Sequence, residues 1–255
     1  MDPKSKSPVK NVPNGKIRLS SLISDNSDVL LIITTLAVLF LTLVFLFFKF
    51  RKATQKVVLL SGLSLSGKTL LFARLVYSKY FESCTSLKEN VGSFTHDKKQ
   101  IKIVDLPGED RLRGKYFDKY KGSAKGIVYV LDSATVQKSL RDVAESLYVI
   151  LADSQVQSSR VKILVCCNKQ DQTLAKSSTV VKTLLQKELN LVRRTKSNQL
   201  DDTEDVSASR TILGDPDKEF EFNDLYNQVS FCDTMGLNGT EDYDVEPLQD
   251  WMATL

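Results

Sequence analysis

Residues 57–73, VVLLSGLSLSGKTLLFA, restrict the fold more tightly than any other stretch of the chain. A run of β-branched and leucine residues breaks at Gly62 and resumes after GLSLSGKT as a helical pattern, so a strand, a loop and a helix are predicted in that order. The loop fits G-x-x-x-x-G-K-[ST] through Gly62, Gly67, Lys68 and Thr69. Leu63, Ser64, Leu65 and Ser66 supply the backbone between the glycines, and Leu70 follows in the first helical turn. Glycine at these positions permits angles and close approaches that a Cβ would obstruct, so successive N–H groups can turn inward around phosphate oxygens. The helix opening at Lys68 brings its positive dipole end to the same cradle. Lys68 supplies a mobile charge for β- and γ-phosphates, and the Thr69 hydroxyl is a hard oxygen ligand suited to Mg²⁺. A Gly-rich turn that merely joins strand to helix is the plainer explanation, and an eight-residue match in this context speaks against it.

Two further motifs follow in an order that fits the first. Residues 93–96 and 99–104 read as strands joined by a short turn at Asp97 and Lys98, and the second ends in Asp105-Leu106-Pro107-Gly108. A carboxylate at that strand end can hold Mg²⁺ through water, and the Gly108 N–H can meet a γ-phosphate. DxxG is common in isolation; its value lies in falling 37 residues beyond Lys68 at the end of a strand. Residues 126–132 and 161–167 read as buried strands, and the latter delivers Asn168-Lys169-Gln170-Asp171 at its carboxyl end, where open α/β sheets bind ligands. The Asp171 carboxylate can accept from guanine N1–H and the 2-amino group, whereas adenine offers neither donor. Asn168 can bond the other base edge or neighbouring backbone, and the Lys169 stem can cover the ring. A site of this kind rejects the wrong base by a factor on the order of 10⁴.

The amino-terminal part has a different character. Residues 1–28 are rich in Ser, Lys, Pro and Asn and are expected to be a flexible tail. Residues 29–48, VLLIITTLAVLFLTLVFLFF, carry no charge and only Thr34, Thr35 and Thr42 as polar members, enough to cross about 30 Å of hydrocarbon as one transmembrane helix. A cleaved signal peptide would have a shorter apolar core, and a buried core helix would carry a polar stripe. Lys49, Arg51, Lys52 and Lys56 follow the span, while Lys10, Lys16 and Arg18 precede it with Asp25 and Asp28, so the charge balance leans towards a cytosolic carboxyl side. Residues 49–55 then form a basic linker to a nucleotide domain at 56–255. Its net charge gives no nucleic-acid preference, since the whole chain stands at +4 from 35 basic and 31 acidic residues. Cys84, Cys166, Cys167 and Cys232 lack metal-ligand spacing, and the adjacent pair inside an apolar run reads as buried thiols of a reducing compartment.

The remaining elements alternate. Helices are expected at 70–80, 137–153, 174–191 and 245–255, with a loop at 81–92, a polar insertion at 193–217, the Phe220 and Phe222 alternation with Glu219 and Glu221, and a last strand at 228–231. Six strand candidates alternating with helices imply a doubly wound, mostly parallel six-stranded sheet.

These motifs resemble the small GTPase superfamily. The membrane segment together with GLSLSGKTLLFARL, DLPG, CNKQD and EFEF is similar to the β-subunit family of signal recognition particle receptors. That resemblance covers about residues 29–231. It implies the P-loop small-GTPase fold, binding of GTP with Mg²⁺, a single-pass anchor in the endoplasmic reticulum membrane with the GTPase domain in the cytosol, and a heterodimer with the receptor's α subunit. Ribosome and signal recognition particle would then be indirect partners in cotranslational targeting. By its spacing from Asn90, TSLKENV looks like an Arf-type first switch with Ser86 as a Mg²⁺ ligand and Thr85 as its rival. Glu109 stands at the water-orienting position, where a carboxylate lacks amide donors and repels the γ-phosphate, so intrinsic hydrolysis is expected to be slow. Residues 232–235 occupy the place of the last guanine loop without its usual sequence. Arg111 and Arg113 are read as surface charge in preference to an arginine finger in cis. The competing reading is an Arf- or Sar-like vesicle-coat GTPase, which would use an amphipathic helix or a lipidated glycine where this chain has Asp2 and a full span.

Overall fold

The structure, a computed structural model, describes residues 19–50, 57–80, 86–96, 99–201, 213–215, 218–238 and 242–255. The chain divides into two compact units at Thr54 and Gln55. In the first, helix α1 (Leu19–Phe50) begins well before residue 29, so residues 19–28 are helical where a flexible tail was expected. Residues 19–28 hold neither Pro nor Gly, and a helix once nucleated extends at one hydrogen bond per residue. From Leu30 to Leu43 every Leu, Ile, Val and Phe side chain is at least 57% exposed. The hydroxyls of Thr34, Thr35 and Thr42 donate to the carbonyls of Leu31, Ile32 and Leu39 at 2.9, 2.9 and 2.8 Å. Among the described residues no helix is long and apolar enough to cross a membrane. Side chains of α1 are described only for residues 30–45, so the ends of the expected 29–48 span lie outside them, as do residues 1–18 and 51–55 of the expected tail and linker.

In the second unit, β1 (Val57–Ser61) leads through the loop into α2 (Lys68–Tyr77), then β2 (Asn90–His96), β3 (Lys99–Asp105), α3 (Asp110–Tyr120) and β4 (Ala124–Asp132). There follow α4 (Leu140–Leu151), α5 (Ser154–Ser158), β5 (Lys162–Asn168), α6 (Ser178–Asp201), β6 (Val229–Asp233), β7 (Met235–Asn238), β8 (Asp242–Asp244) and α7 (Glu246–Ala253). The sheet order is β2-β3-β1-β4-β5-β6. Among the described residues of this sheet, β2 alone runs antiparallel to its neighbour and the other four pairings are parallel. The expected six-stranded, doubly wound sheet is therefore what forms. All of Val57 to Leu60 are buried because alternate residues face two cores: Leu59 with Tyr129, Leu147 and Leu185 on one face, Leu60 with Leu71, Val128 and Met252 on the other. Apolar residues at every position, without alternation, are what a parallel strand covered on both faces requires. The chain leaves β1 towards β2 and β3 on one side and returns to β4 on the other, which opens a crevice at the carboxyl end of β1.

Several elements differ from expectation. Ser78 adopts φ 53° and ends α2 at Tyr77, short of residue 80. Residues 90–92, expected in a loop, begin β2 and pair with β3. The helix expected from 174 to 191 instead runs from Ser178 to Asp201 and takes the first part of the 193–217 insertion. Arg193 explains part of this: buried, it donates to the carbonyls of Leu213 and Asp215 at 3.2 and 2.7 Å and to that of Lys218, fastening the far side of the insertion to the helix. Residues 202–212 lie outside the described set. Phe220 and Phe222 are not in a strand; their rings meet edge to face at 5.2 Å, and Phe222 meets Phe231 at 5.0 Å, so tertiary burial outweighs the alternation. The charged helix α3, DRLRGKYFDKY, and the β7–β8 hairpin were not anticipated, because one buried residue, Phe117, gives α3 too little apolar period to read.

Buried Asn227 joins β6 to the α5–β5 turn by donating from Nδ2 to the carbonyls of Val156 and Val161 at 3.0 and 2.8 Å. Asn227→Ala leaves the Val161 carbonyl without this donor and the Val156 carbonyl with the Val161 N–H alone, and should cost about 1–3 kcal/mol in urea unfolding of a fragment beginning at Ala53. That fragment should unfold in one cooperative step. A loss below roughly 0.5 kcal/mol would show that these carbonyls find other partners.

Candidate functional site

The loop between β1 and α2 is held by backbone geometry. Gly62 has φ 137°, and a Cβ there would come 2.1 Å from the Val130 carbonyl oxygen, so neither the angle nor the space admits another residue. Leu65 takes φ 64° with its side chain outward, Ser66 is buried, and Gly67 precedes the first turn of α2, where Leu70 packs inward. Lys68 is buried, and its Nζ donates to the Leu63 carbonyl at 2.7 Å and to Ser66 Oγ at 3.4 Å. Burial pushes its ammonium down to about 8; Asp105 opposes this and the like charge of Arg113 adds to it. Such a cation, curled onto its own loop and short of counter-charge, gains most from an arriving anion.

Beside it lies an oxygen cluster. Asp105, at the end of β3, is fully buried, and its Oδ2 accepts from Thr69 Oγ1 at 2.8 Å and from Asn90 Nδ2 at 3.0 Å. Ser86 Oγ lies 3.4 Å from Thr69 Oγ1 and accepts from Asn90 Nδ2 at 3.4 Å. Asp105 Oδ1 is buried and unpartnered. Burial pushes this carboxyl up, while Asn90, Thr69 and Lys68 pull it back. Two hydroxyls and a carboxylate with a spare oxygen are the donors a hard divalent cation takes, and the orphaned Oδ1 is the atom that lacks a partner without one. Thr69, Ser86 and Asp105 are thus brought together as the sequence suggested; Thr85 lies outside the described residues.

At the end of β5, Asn168 is buried and works in two directions. Its Nδ2 donates to the Ser66 carbonyl at 2.9 Å, and its Oδ1 accepts from the Gly236 N–H at 3.2 Å and Thr234 Oγ1 at 3.4 Å. Lys169 is held at φ 66° while its Nζ pairs with Asp132 Oδ2 at 2.8 Å. Asp171 follows in the exposed turn. Residues 232–235 do lie against this motif: the Thr234 N–H donates to the Cys167 carbonyl at 3.0 Å, and the Gln170 N–H to the Thr234 carbonyl at 3.2 Å. Thr234 falls within that stretch, whereas Gly236, one residue beyond it, was missed by sequence reasoning, and no local pattern announces it. Asn90 was used only as a spacing mark, although the antiparallel register that sets His96 opposite Lys99 also sets Asn90 opposite Asp105.

Gly108 packs directly on the phosphate loop, where a Cβ would come 2.6 Å from Ser64 Cα. Glu109 is exposed at the start of α3. Arg111 is exposed, as a surface charge should be, but Arg113 is not: its side chain is 11% exposed. Its Nη1 donates to the Gly108 carbonyl at 2.8 Å and the Gly62 carbonyl at 3.4 Å, and Nη2 pairs with Asp110. The surface-charge reading of Arg113 is corrected accordingly, because two loop carbonyls need a donor in that crevice.

The family described as signal recognition particle receptor beta subunit matches residues 53–229. The rat signal recognition particle receptor subunit beta (Rattus norvegicus) is 38% identical over 237 residues, covering 89% of this chain and 88% of the relative. Among solved structures, the mammalian SRP receptor is 36% identical with a TM-score of 0.69, over 78% of this chain and 99% of that one. The SRb-GTP/SRX complex from Chaetomium thermophilum shares the fold at 20% identity, with a TM-score of 0.59 over 78% of this chain and 98% of that one. The chain belongs to the signal recognition particle receptor β-subunit family.

Proposed function

We propose that the chain is the membrane-anchored, GTP-binding subunit of a signal recognition particle receptor. It holds the receptor's α subunit at the endoplasmic reticulum membrane in a GTP-dependent way, and so serves cotranslational targeting of ribosomes that carry the particle. The observation that carries the reading is the meeting, at one end of the sheet, of the under-compensated Lys68 ammonium, the orphaned Asp105 oxygen and an Asn168 carboxamide bonded to the phosphate loop. The SRb-GTP/SRX complex of the Chaetomium relative supports both the nucleotide and the kind of assembly. Residues 62–70 would cradle the phosphates, Asp171 would read the guanine 2-amino group, and Asn168 and Lys169 would fix and cover the base. Thr69, Ser86 and Asp105 would hold Mg²⁺, which when bound offsets charge on the β- and γ-phosphates. Gly108, seated on Ser64, is placed to sense a γ-phosphate, and Arg113 ties that sensor to α3. Glu109 brings no amide donor to an attacking water, so release from the GTP state is slow or needs a partner. Membership of the receptor family sets the coat-GTPase reading aside.

The anchor is assigned to residues 29–48. From Leu30 to Leu43 the apolar side chains of α1 are exposed, and the hydroxyls of Thr34, Thr35 and Thr42 bond back to the helix, an arrangement that water penalises and hydrocarbon does not. The basic residues after the span and the abundance of GTP in the cytosol put the nucleotide unit on the cytosolic side. The full chain should stay in the pellet when membranes are extracted with alkaline carbonate; its appearance in the supernatant would remove the anchor.

The guanine assignment is tested by one atom exchange. Asp171→Asn sets an amide donor against the 2-amino group, whereas xanthine carries a carbonyl oxygen there and gains a hydrogen bond. Loss of a bond to a charged acceptor costs roughly 1.5–3 kcal/mol, about 10- to 150-fold in affinity. Competition between GTP and XTP for the fragment from Ala53 should therefore invert from wild type to mutant. A folded mutant that keeps the wild-type preference for GTP would mean Asp171 does not read the base.

A further inference from the structure

The residues at the start of β2 face two ways. Asn90 turns inward, donating from Nδ2 to Asp105 Oδ2 at 3.0 Å and to Ser86 Oγ at 3.4 Å. Glu89, its neighbour, turns towards α3, where Oε1 accepts from Lys119 Nζ at 2.7 Å and from Tyr120 OH at 3.3 Å. The Glu89 side chain is 16% exposed and that of Lys119 55%, so the carboxylate is held in a protein niche while the ammonium stays open to solvent. At the other end of the same helix, Arg113 bonds the carbonyls of Gly62 and Gly108. A single 11-residue helix therefore touches the phosphate loop with its first turn and the oxygen cluster, through Glu89 and Asn90, with its last.

We propose that Asn90 is a positioning residue for the divalent cation, and that Glu89, moored to Lys119 and Tyr120, lets α3 set how tightly the cation is kept. The inference rests on the nucleotide-and-cation reading given above and adds to it a route of regulation. The Asn90 amide occupies Asp105 Oδ2 and so leaves Oδ1 as the oxygen turned to the cation, while the same amide holds Ser86 within reach of Thr69. Asn90 cannot leave this position without dragging Glu89, and Glu89 is fixed only as firmly as α3. The exposed Lys119 is the accessible end of the route. An acidic group on a partner that draws Lys119 away from Glu89 loosens Asn90 and with it the cation.

The experiment uses the full chain in detergent, loaded with a fluorescent GDP, and follows nucleotide release as magnesium chloride is lowered. Asn90→Ala should raise the magnesium midpoint by roughly tenfold or more, as removal of a residue that orients a metal ligand does. Glu89→Gln and Lys119→Met should each raise it several-fold, about 2- to 5-fold. The double variant should do no more than either single one, since both remove one contact. Lys119→Arg should restore most of the wild-type midpoint, and Lys115→Met, which takes a charge from the same helix without touching Glu89, should leave it unchanged. Thermal unfolding of each variant should move too little to account for the shifts. Wild-type midpoints in both Glu89→Gln and Lys119→Met would overturn the proposal, as would additive effects in the double variant. A wild-type chain that binds no fluorescent GDP, or releases it without regard to magnesium, would instead overturn the reading on which the proposal rests.

Discussion

Asp105 places a carboxyl group with no exposed surface at the carboxyl end of β3 and leaves one of its oxygens without a donor. Burial of an ionised carboxylate costs several kcal/mol unless charge or hydrogen bonds offset it. The surroundings offset it only in part. Thr69 and Asn90 both spend their donors on Oδ2, and the nearest cation, Lys68, is itself stripped of water and drawn onto the Leu63 carbonyl. A negative and a positive group are thus held close but incompletely satisfied, and the fold tolerates this because the sheet and α2 fix both. The arrangement is that of a site whose last partners, an anion and a divalent cation, arrive from outside.

The rest of the second unit serves that point. Parallel strands with both faces covered set the ends of β1, β3, β4 and β5 side by side, so the phosphate loop, Asp105, Asp132 and Asn168 come from distant parts of the sequence to one edge. Hydrogen bonds then join the motifs to one another, not only to a ligand. Asn168 links the Ser66 carbonyl to the β7–β8 hairpin, and Arg113 links the loop to Gly108. On the function proposed above, a change at the γ-phosphate position would pass through these bonds to α3, where a protein partner could read it.

Much of this was legible in the residues. The strand, loop and helix at 57–73 could be read because glycine, lysine and threonine positions in a phosphate loop are dictated by backbone and ligand chemistry, and the order of DLPG and NKQD fixed the topology around it. The parallel strands β1, β4 and β5 were visible as unbroken apolar runs. What escaped was set by tertiary contact. The helix α3 presents almost no apolar face, Phe220 and Phe222 follow ring packing in place of strand period, and α6 runs on into the insertion, whose far side is fastened to it by Arg193. Asn90 was hidden for another reason. Its place follows from the register of β2 on β3, which sets it opposite Asp105, yet nothing in residue type alone separates it from any other polar strand residue.

The account's central claim is that nucleotide state decides whether the receptor's α subunit is held, because a γ-phosphate fixes Gly108 and the Ser86 loop in one arrangement and its loss frees both. Calorimetric titration of the α subunit into the full chain, loaded in turn with a non-hydrolysable GTP analogue and with GDP, tests it directly. Tighter binding in the GTP-analogue state by about tenfold, within the ordinary range of coupling between two sites, is the predicted result. Equal affinity in the two states would contradict it and leave the chain a constitutive anchor.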